Sequence, residues 1–183
     1  MNLELIEQTP EEGKVIFDNH MHRDFPENEI KPWNIALELY RRGIYEMLQI
    51  LSDGIMVGYV WMVCPSGEAA LIDYLAVLPE YRSEGYGSRI LKALVERYRL
   101  RGMELLLESE YPDEAPDRAM AIRRLGFYKR AGFKNSGVEV RLFGVHFCIL
   151  TFGKEGNARQ KMEHLYRAMF PERLYRHAVE FLT

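Results

Sequence analysis

The chain has 183 residues, a formal net charge of -3 and a pI near 6.0, with 48% hydrophobic and 28% charged residues. That is room for one domain with a real core, with or without a terminal extension, in an ordinary globular composition. The charge balance gives no basis for bulk binding to nucleic acid or an anionic membrane, and no apolar run approaches the roughly 20 residues of a membrane span.

The opening Met1-Asn2-Leu3-Glu4-Leu5 lacks the basic-then-apolar order of a signal peptide. Residues 3–7 alternate and predict a first strand, and residues 10–23 and 32–42 predict two helices. The second helix places Trp33, Ala36, Leu37 and Tyr40 on one face. Residues 44–51 and 55–63 predict strands joined by Ser52-Asp53-Gly54, because Asp-Gly is a strong hairpin signal. Pro65-Ser66-Gly67 then turns the chain into a strand over residues 68–78.

After Pro79 comes the most informative stretch, Arg82-Ser83-Glu84-Gly85-Tyr86-Gly87, followed by a helix with Leu91, Leu94, Val95 and Tyr98 inward. A strand, a glycine turn and a helix start make an anion site: backbone N–H groups converge in the turn, backed by the positive end of the helix dipole. Two better-known phosphate loops do not fit. Ser88-Arg89 stands where a P-loop needs Lys and then Ser or Thr, and Ile90 stands where a dinucleotide fingerprint needs its third glycine. Glycine spacing alone fits an ordinary β-to-α connection equally well.

Residues 103–107 are wholly apolar, as in a strand covered on both faces. Pro112 and Pro116 precede a predicted helix over 117–130 that puts Ala121, Leu125 and Tyr128 on one face and stops at Gly132. Strands are predicted over 133–142 and 145–152, and the tail reads as helical, with Met162, Leu165, Tyr166 and Met169 before Pro171 and Leu174, Tyr175, Ala178, Val179 and Leu182 after it. Cys64 and Cys148 end apolar runs and read as buried reduced thiols, which suits the cytoplasm. The five histidines show no metal-ligand pattern, since His20 and His22 would face different directions on a helix.

The second motif is Phe127-Tyr128-Lys129-Arg130-Ala131-Gly132-Phe133, whose tyrosine follows Gly87 by 41 residues. Together with residues 75–87 it resembles the GNAT superfamily of acyl-CoA-dependent N-acyltransferases. Residues 82–87 match that family's turn (Arg or Gln, two residues, Gly, one residue, Gly or Ala), and Tyr128, Gly132 and Phe133 match its helix-borne tyrosine before Gly-Phe. The resemblance covers about residues 3–152. It implies an α/β fold with a mixed, mostly antiparallel sheet splayed between its fourth and fifth strands and helices on both faces. Residues 1–153 would form the acyltransferase domain, and residues 154–183 a helical extension packed on it.

The resemblance also implies acetyl-CoA as co-substrate and no metal. The diphosphate would lie against backbone N–H groups of Arg82, Ser83, Glu84, Gly85, Tyr86, Gly87 and Ser88, and the pantetheine arm along Leu75, Ala76 and Val77. An amine would attack the thioester directly, with the Leu75 N–H receiving the oxyanion and Tyr128 protonating the departing thiolate. The base is left open among Asp73, Glu108 and Glu110. Strict alternation puts Asp73 on the face of Leu75 and lets Glu108 and Glu110 meet it across the opening. Leu71 and Ser109-Glu110-Tyr111-Pro112 depart from the glutamate and the asparagine that many members carry nearby. Three carboxylates there would favour a cationic amine.

The expected activity is therefore acetyl transfer to a primary amine of a small molecule or a protein, with no nucleic-acid or membrane partner. The alternative is a non-catalytic CoA-binding sensor or partner-binding module. The aromatics Phe17, Phe25, Trp33, Tyr40, Tyr166 and Tyr175 read first as packing residues, and a pocket lining or a homodimer interface are their other uses.

Overall fold

The computed structural model describes residues 3–153 and 156–183. Eight strands form one sheet: β1 (Leu3–Glu7), β2 (Tyr45–Ser52), β3 (Ile55–Val63), β4 (Ala69–Val77), β5 (Glu104–Glu110), β6 (Lys134–Leu142), β7 (Val145–Phe152) and β8 (Val179–Phe181). Their spatial order is β1-β2-β3-β4-β5-β7-β6-β8. Every neighbouring pair is antiparallel except β4 with β5. The parallel pair is reached through the right kind of crossover, a long helix α4 (Tyr86–Leu100) between the two strands.

The β4–β5 ladder is short. It starts at Ala69↔Glu104 and stops at Ile72↔Leu107. Beyond it β4 stays with β3 while β5 stays with β7 as far as Glu110↔Phe147, so the sheet opens into a V. This is the expected splayed sheet, and each face of it has its own core. One contains Trp61, Leu71, Tyr74 and Leu106 under the N-terminal helices and the tail. The other contains Ile72, Ile90, Leu94 and Leu107 under α4 and α5 (Arg118–Arg130).

Three local departures from the sequence reading bear on the site. The helix expected over residues 10–23 runs as α1 (Pro10–Ile16), a π-helical turn at Phe17–Met21 and the short α2 (His22–Asp24). The wider turn lets both Phe17 and Met21 be buried and brings Asp24 against β3. The expected helix over 32–42 is α3 (Trp33–Arg41). In β4 the pairing with β3 shifts register between Trp61 and Met62, which face Tyr74 and Ile72 and leave Asp73 as the extra residue of a bulge. The tail forms α6 (Ala158–Met169) and α7 (Glu172–Ala178) but ends in β8, which pairs with β6 and covers that sheet edge.

The boundary expected after residue 153 falls at Lys154 and Glu155, outside the described residues, as do Met1 and Asn2 of the leader reading. Cys64 and Cys148 are buried and free, and burial pushes the Cys64 thiol up to about 12. Among the described residues no helix is long and apolar enough to cross a membrane.

Candidate active site

The glycine turn sits where β4 hands over to α4. Ser83 and Gly85 take positive φ (67° and 80°), and the helix starts at Tyr86 with no side chain capping it. A helix start leaves its first N–H groups without intrahelical partners, so this end is built to receive an acceptor from outside. At Gly87 a Cβ would come within 3.0 Å of the Phe127 ring on α5, so glycine there lets the two helices approach. Arg82 does not point its charge into the turn. Its Nε donates to the Val77 carbonyl at 3.0 Å, and its Nη2 donates at 2.9 Å to Asp24, a carboxylate that also accepts from Arg23 and from the Tyr59 hydroxyl. Thus Arg82 fastens the turn to the N-terminal helices. We expect Gly85→Ala to cost about 1–2 kcal/mol of unfolding free energy in the left-handed conformation, read by urea unfolding.

The backbone of β4 faces two ways. The Leu78 N–H bonds to Val57 O at 3.0 Å, and the Ala76 carbonyl lies against Gly58, where a Cβ would meet it at 2.4 Å. Antiparallel alternation then spends the polar groups of Ala76 on β3 and turns those of Leu75 and Val77 into the V. The Val77 carbonyl is already taken by Arg82.

The bulge overturns one part of the sequence reading. Asp73 does not share a face with Leu75. It lies on the side of Tyr74, where Lys31 Nζ donates to it at 2.6 Å and the Tyr45 hydroxyl donates to its other oxygen. Leu75 packs on the opposite face. Lys31 is itself tied to β4: its N–H donates to the Tyr74 hydroxyl at 2.8 Å, which donates to the Glu29 carbonyl at 2.7 Å. Burial works against the Lys31 ammonium, but the Asp73 carboxylate, followed by Tyr74, holds its pKa well above the ordinary value.

Glu108 follows Leu107, so it and Asp73 are the first residues past the last β4–β5 pair, on the same face at the apex of the V. The Tyr166 hydroxyl of α6 donates to Glu108 Oε1. Burial pushes this carboxyl up to about 7, and Asp73 and Glu29 add to the rise, while the Tyr166 hydrogen bond and Lys31 oppose it.

Glu110 ends β5 and accepts from Arg124 of α5 at 2.9 Å. Tyr128 lies one turn further along α5, half-buried against Phe127 and Phe133, with ring centroids 5.2 and 6.1 Å away. Burial raises its pKa and Arg124 opposes the rise. The phenol is therefore protonated at neutral pH.

Beside these groups is a cavity of about 360 Å³ whose polar wall includes Glu29, Glu110, Glu114, Asp117, Arg124 and His146. Most of its charges are matched. Glu114 accepts from Arg141 and meets His146 Nδ1 at 2.9 Å, while Asp117 caps α5 by accepting from the Met120 N–H. Glu29 is different: among the described residues no cation pairs with it, and burial followed by Glu110 raises its pKa, with Arg124 opposing.

Residues 45–135 match the family model described as an acetyltransferase (GNAT) domain, a span that holds both the fork and the glycine turn. The chain belongs to the GNAT acetyltransferase family. The reaction of that family is acyl-CoA-dependent N-acetylation. Solved structures share the fold. A GNAT-family protein from Bacteroides thetaiotaomicron superposes with a TM-score of 0.70 at 21% identity, over 91% of this chain and 95% of that one. A Bacillus subtilis acetyltransferase in complex with CoA gives 0.60 at 15% identity, over 84% and 98%. The Escherichia coli ribosomal-protein-S18-alanine N-acetyltransferase gives 0.62 at 16% identity, over 86% and 98%. Comparison with curated proteins finds no significant sequence match.

The GNAT motifs brought Tyr128, Leu75 and the turn to notice, but Glu29, Lys31, Tyr45 and Tyr166 carry no such motif. In sequence they are a loop acid, a loop base and two ordinary aromatics.

Proposed function

We propose that this GNAT protein is an acetyl-CoA-dependent N-acetyltransferase acting on a cationic primary amine, with Glu108 as the base and Tyr128 as the acid. The observation that carries this reading is the disposition of these groups about the V. Glu108 lies at its apex on one face of the sheet, Tyr128 packs with the core of the other face, and the Leu75 N–H turns into the opening between them.

The turn from Arg82 to Ser88 fits the diphosphate of CoA through its uncapped helix start and glycine backbone. Leu75 and Val77 offer backbone groups to the pantetheine arm in the manner of an added strand. When bound, acetyl-CoA supplies an activated acetyl group. The chain's residues do the rest. Glu108 takes one proton from the incoming ammonium, and the neutral nitrogen bonds to the acetyl carbon while the Leu75 N–H donates to the carbonyl oxygen as charge develops on it. The C–S bond then breaks as Tyr128 gives its proton to the departing sulfur, the second proton lost by the nitrogen restores the Tyr128 hydroxyl, and the proton on Glu108 passes to solvent. Asp73 is less suited to be the base, because Lys31 and Tyr45 already occupy both its oxygens. Glu110 is likewise occupied by Arg124.

The acceptor class follows from the cavity. Among the described residues Glu29 is a half-buried carboxylate in no ion pair, its burial opposed only by the more distant charge of Arg124, and a positive ligand would relieve that cost. An ammonium group does so, whether on a small amine or a protein. The E. coli neighbour acetylates a ribosomal-protein alanine. Buried free thiols suit the cytoplasm as the place of action.

An amine panel tests the reading. Cationic amines should react faster than neutral ones of equal size, and Glu29→Gln should raise KM for the cationic amines about tenfold, as expected for losing a hydrogen bond to a charged group, with little change in kcat. Equal rates for neutral and polycationic amines would sink the cationic-substrate proposal.

A further inference from the structure

The tail beyond the matched region enters the site at one point. Helix α6 buries Ala158, Met162, Leu165, Tyr166 and Met169 against the sheet, and Tyr166 brings the only hydroxyl in that stripe. Two contacts fix the helix along β5: Lys161 Nζ reaches Glu104 at 2.6 Å, and the Tyr166 hydroxyl reaches Glu108. The Tyr166 ring is completely buried and stacks on Phe170 at 6.1 Å, with Phe181 of β8 on the same distance. It can neither swing away nor easily lose its proton, because burial and Glu108 raise its pKa well above the ordinary phenol value.

We propose that Tyr166 is a positioning residue: its fixed hydroxyl aims the Glu108 carboxylate at the fork and sets the pH at which that carboxylate takes up the substrate's proton. This rests on Glu108 being the base. The groups facing Glu108 come from four places: Tyr166 on α6, Asp73 and Tyr74 on β4, Lys31 before α3, and Glu29 on the segment after α2. Lys31 and Tyr166 favour the ionised carboxylate, while Asp73 and Glu29 disfavour it. Lys31 is shared with Asp73, which it contacts at 2.6 Å. Tyr166 is therefore the neutral donor directed at Glu108. A core tyrosine whose value lay only in packing could be replaced by phenylalanine without moving any titration.

The test compares pH–rate profiles of the full-length wild type, Tyr166→Phe and Glu108→Gln, using acetyl-CoA and a cationic amine from the panel. In the wild type the rate should climb with pH through about 7, where Glu108 ionises. In Tyr166→Phe the same limb should lie about one to two pH units higher, the shift expected for losing a hydrogen bond to a charged group. The variant should then be about ten- to a hundredfold slower at pH 6.5 and near the wild-type rate only above about pH 10.

The two ideas fail differently. A Glu108→Gln enzyme with wild-type rate and profile removes the base reading itself. A Glu108→Gln enzyme that is slow, together with a Tyr166→Phe limb in the wild-type position, overturns the role of Tyr166. If Tyr166→Phe does not fold, NMR of the wild type decides. The Tyr166 hydroxyl and Glu108 carboxyl signals should titrate together, and a Tyr166 signal unmoved while Glu108 titrates overturns the proposal.

Discussion

Tyr128→Phe should lower kcat by about 10²–10⁴-fold, the range general acid catalysis supplies, while leaving CoA affinity within about twofold. The ring packs between Phe127 and Phe133, and phenylalanine preserves that packing. Among the described residues nothing hydrogen-bonds the Tyr128 hydroxyl, so its removal leaves no buried partner stranded. The loss should thus fall on the chemical step and not on folding. It should also depend on the leaving group: a thioester whose thiol is more acidic needs less protonation and should show a smaller Tyr128→Phe effect. Stopped-flow measurement of thioester loss, with calorimetry for CoA, separates the two parameters. A variant with full kcat would remove Tyr128 from the chemistry.

The second large effect is on stability. Lys31 and Asp73 form a buried pair, with side chains 19% and 3% exposed. Removing one partner of such a pair strands the other charge, so Lys31→Met should cost about 3–5 kcal/mol of unfolding free energy in urea. Asp73 also accepts from Tyr45, so Asp73→Asn keeps an acceptor for that hydroxyl while removing the charge. The double variant should therefore recover at least about half of the loss. The sign of the effect on activity can be stated as well. Lys31 lowers the pKa of Glu108, so its removal should move the rising limb to higher pH. A loss below about 1 kcal/mol in the single variant would mean that water reaches Asp73.

These residues show what the sequence could and could not disclose. The strands were legible because apolar periodicity and the Asp53-Gly54 hairpin are local signals, whereas the splay was expected only from the resemblance to the GNAT family. The glycine turn was legible because its geometry needs glycine at Gly85, where φ is 80°. The face of Asp73 was not. A bulge adds one residue to the alternation, and its cause lies in the pairing with Trp61 and Met62 on another strand. The π-helical turn at Phe17–Met21 was hidden for a similar reason, since its residues satisfy an α-helical pattern as well.

Partnerships across long separations were the other gap. Lys31 meets Asp73 from 42 residues away, and Tyr166 meets Glu108 from 58 residues away. In the sequence Asp73, Glu108 and Glu110 are equivalent acids on two neighbouring strands. Only their neighbours rank them, leaving two committed to cations and Glu108 held by a neutral phenol. Arg82 makes the same point: its motif position drew attention to its backbone N–H, while the partners of its side chain, Asp24 and Val77, carried no signal in the sequence.

The most direct test of the account is thioester loss from acetyl-CoA by the wild type, measured with and without a panel of cationic primary amines and with mass detection of the product. The account predicts amine-dependent loss, an N-acetylated product, and a rate that rises with pH through about 7. CoA binding without acceleration by any amine would contradict it and would make the protein a CoA-binding module.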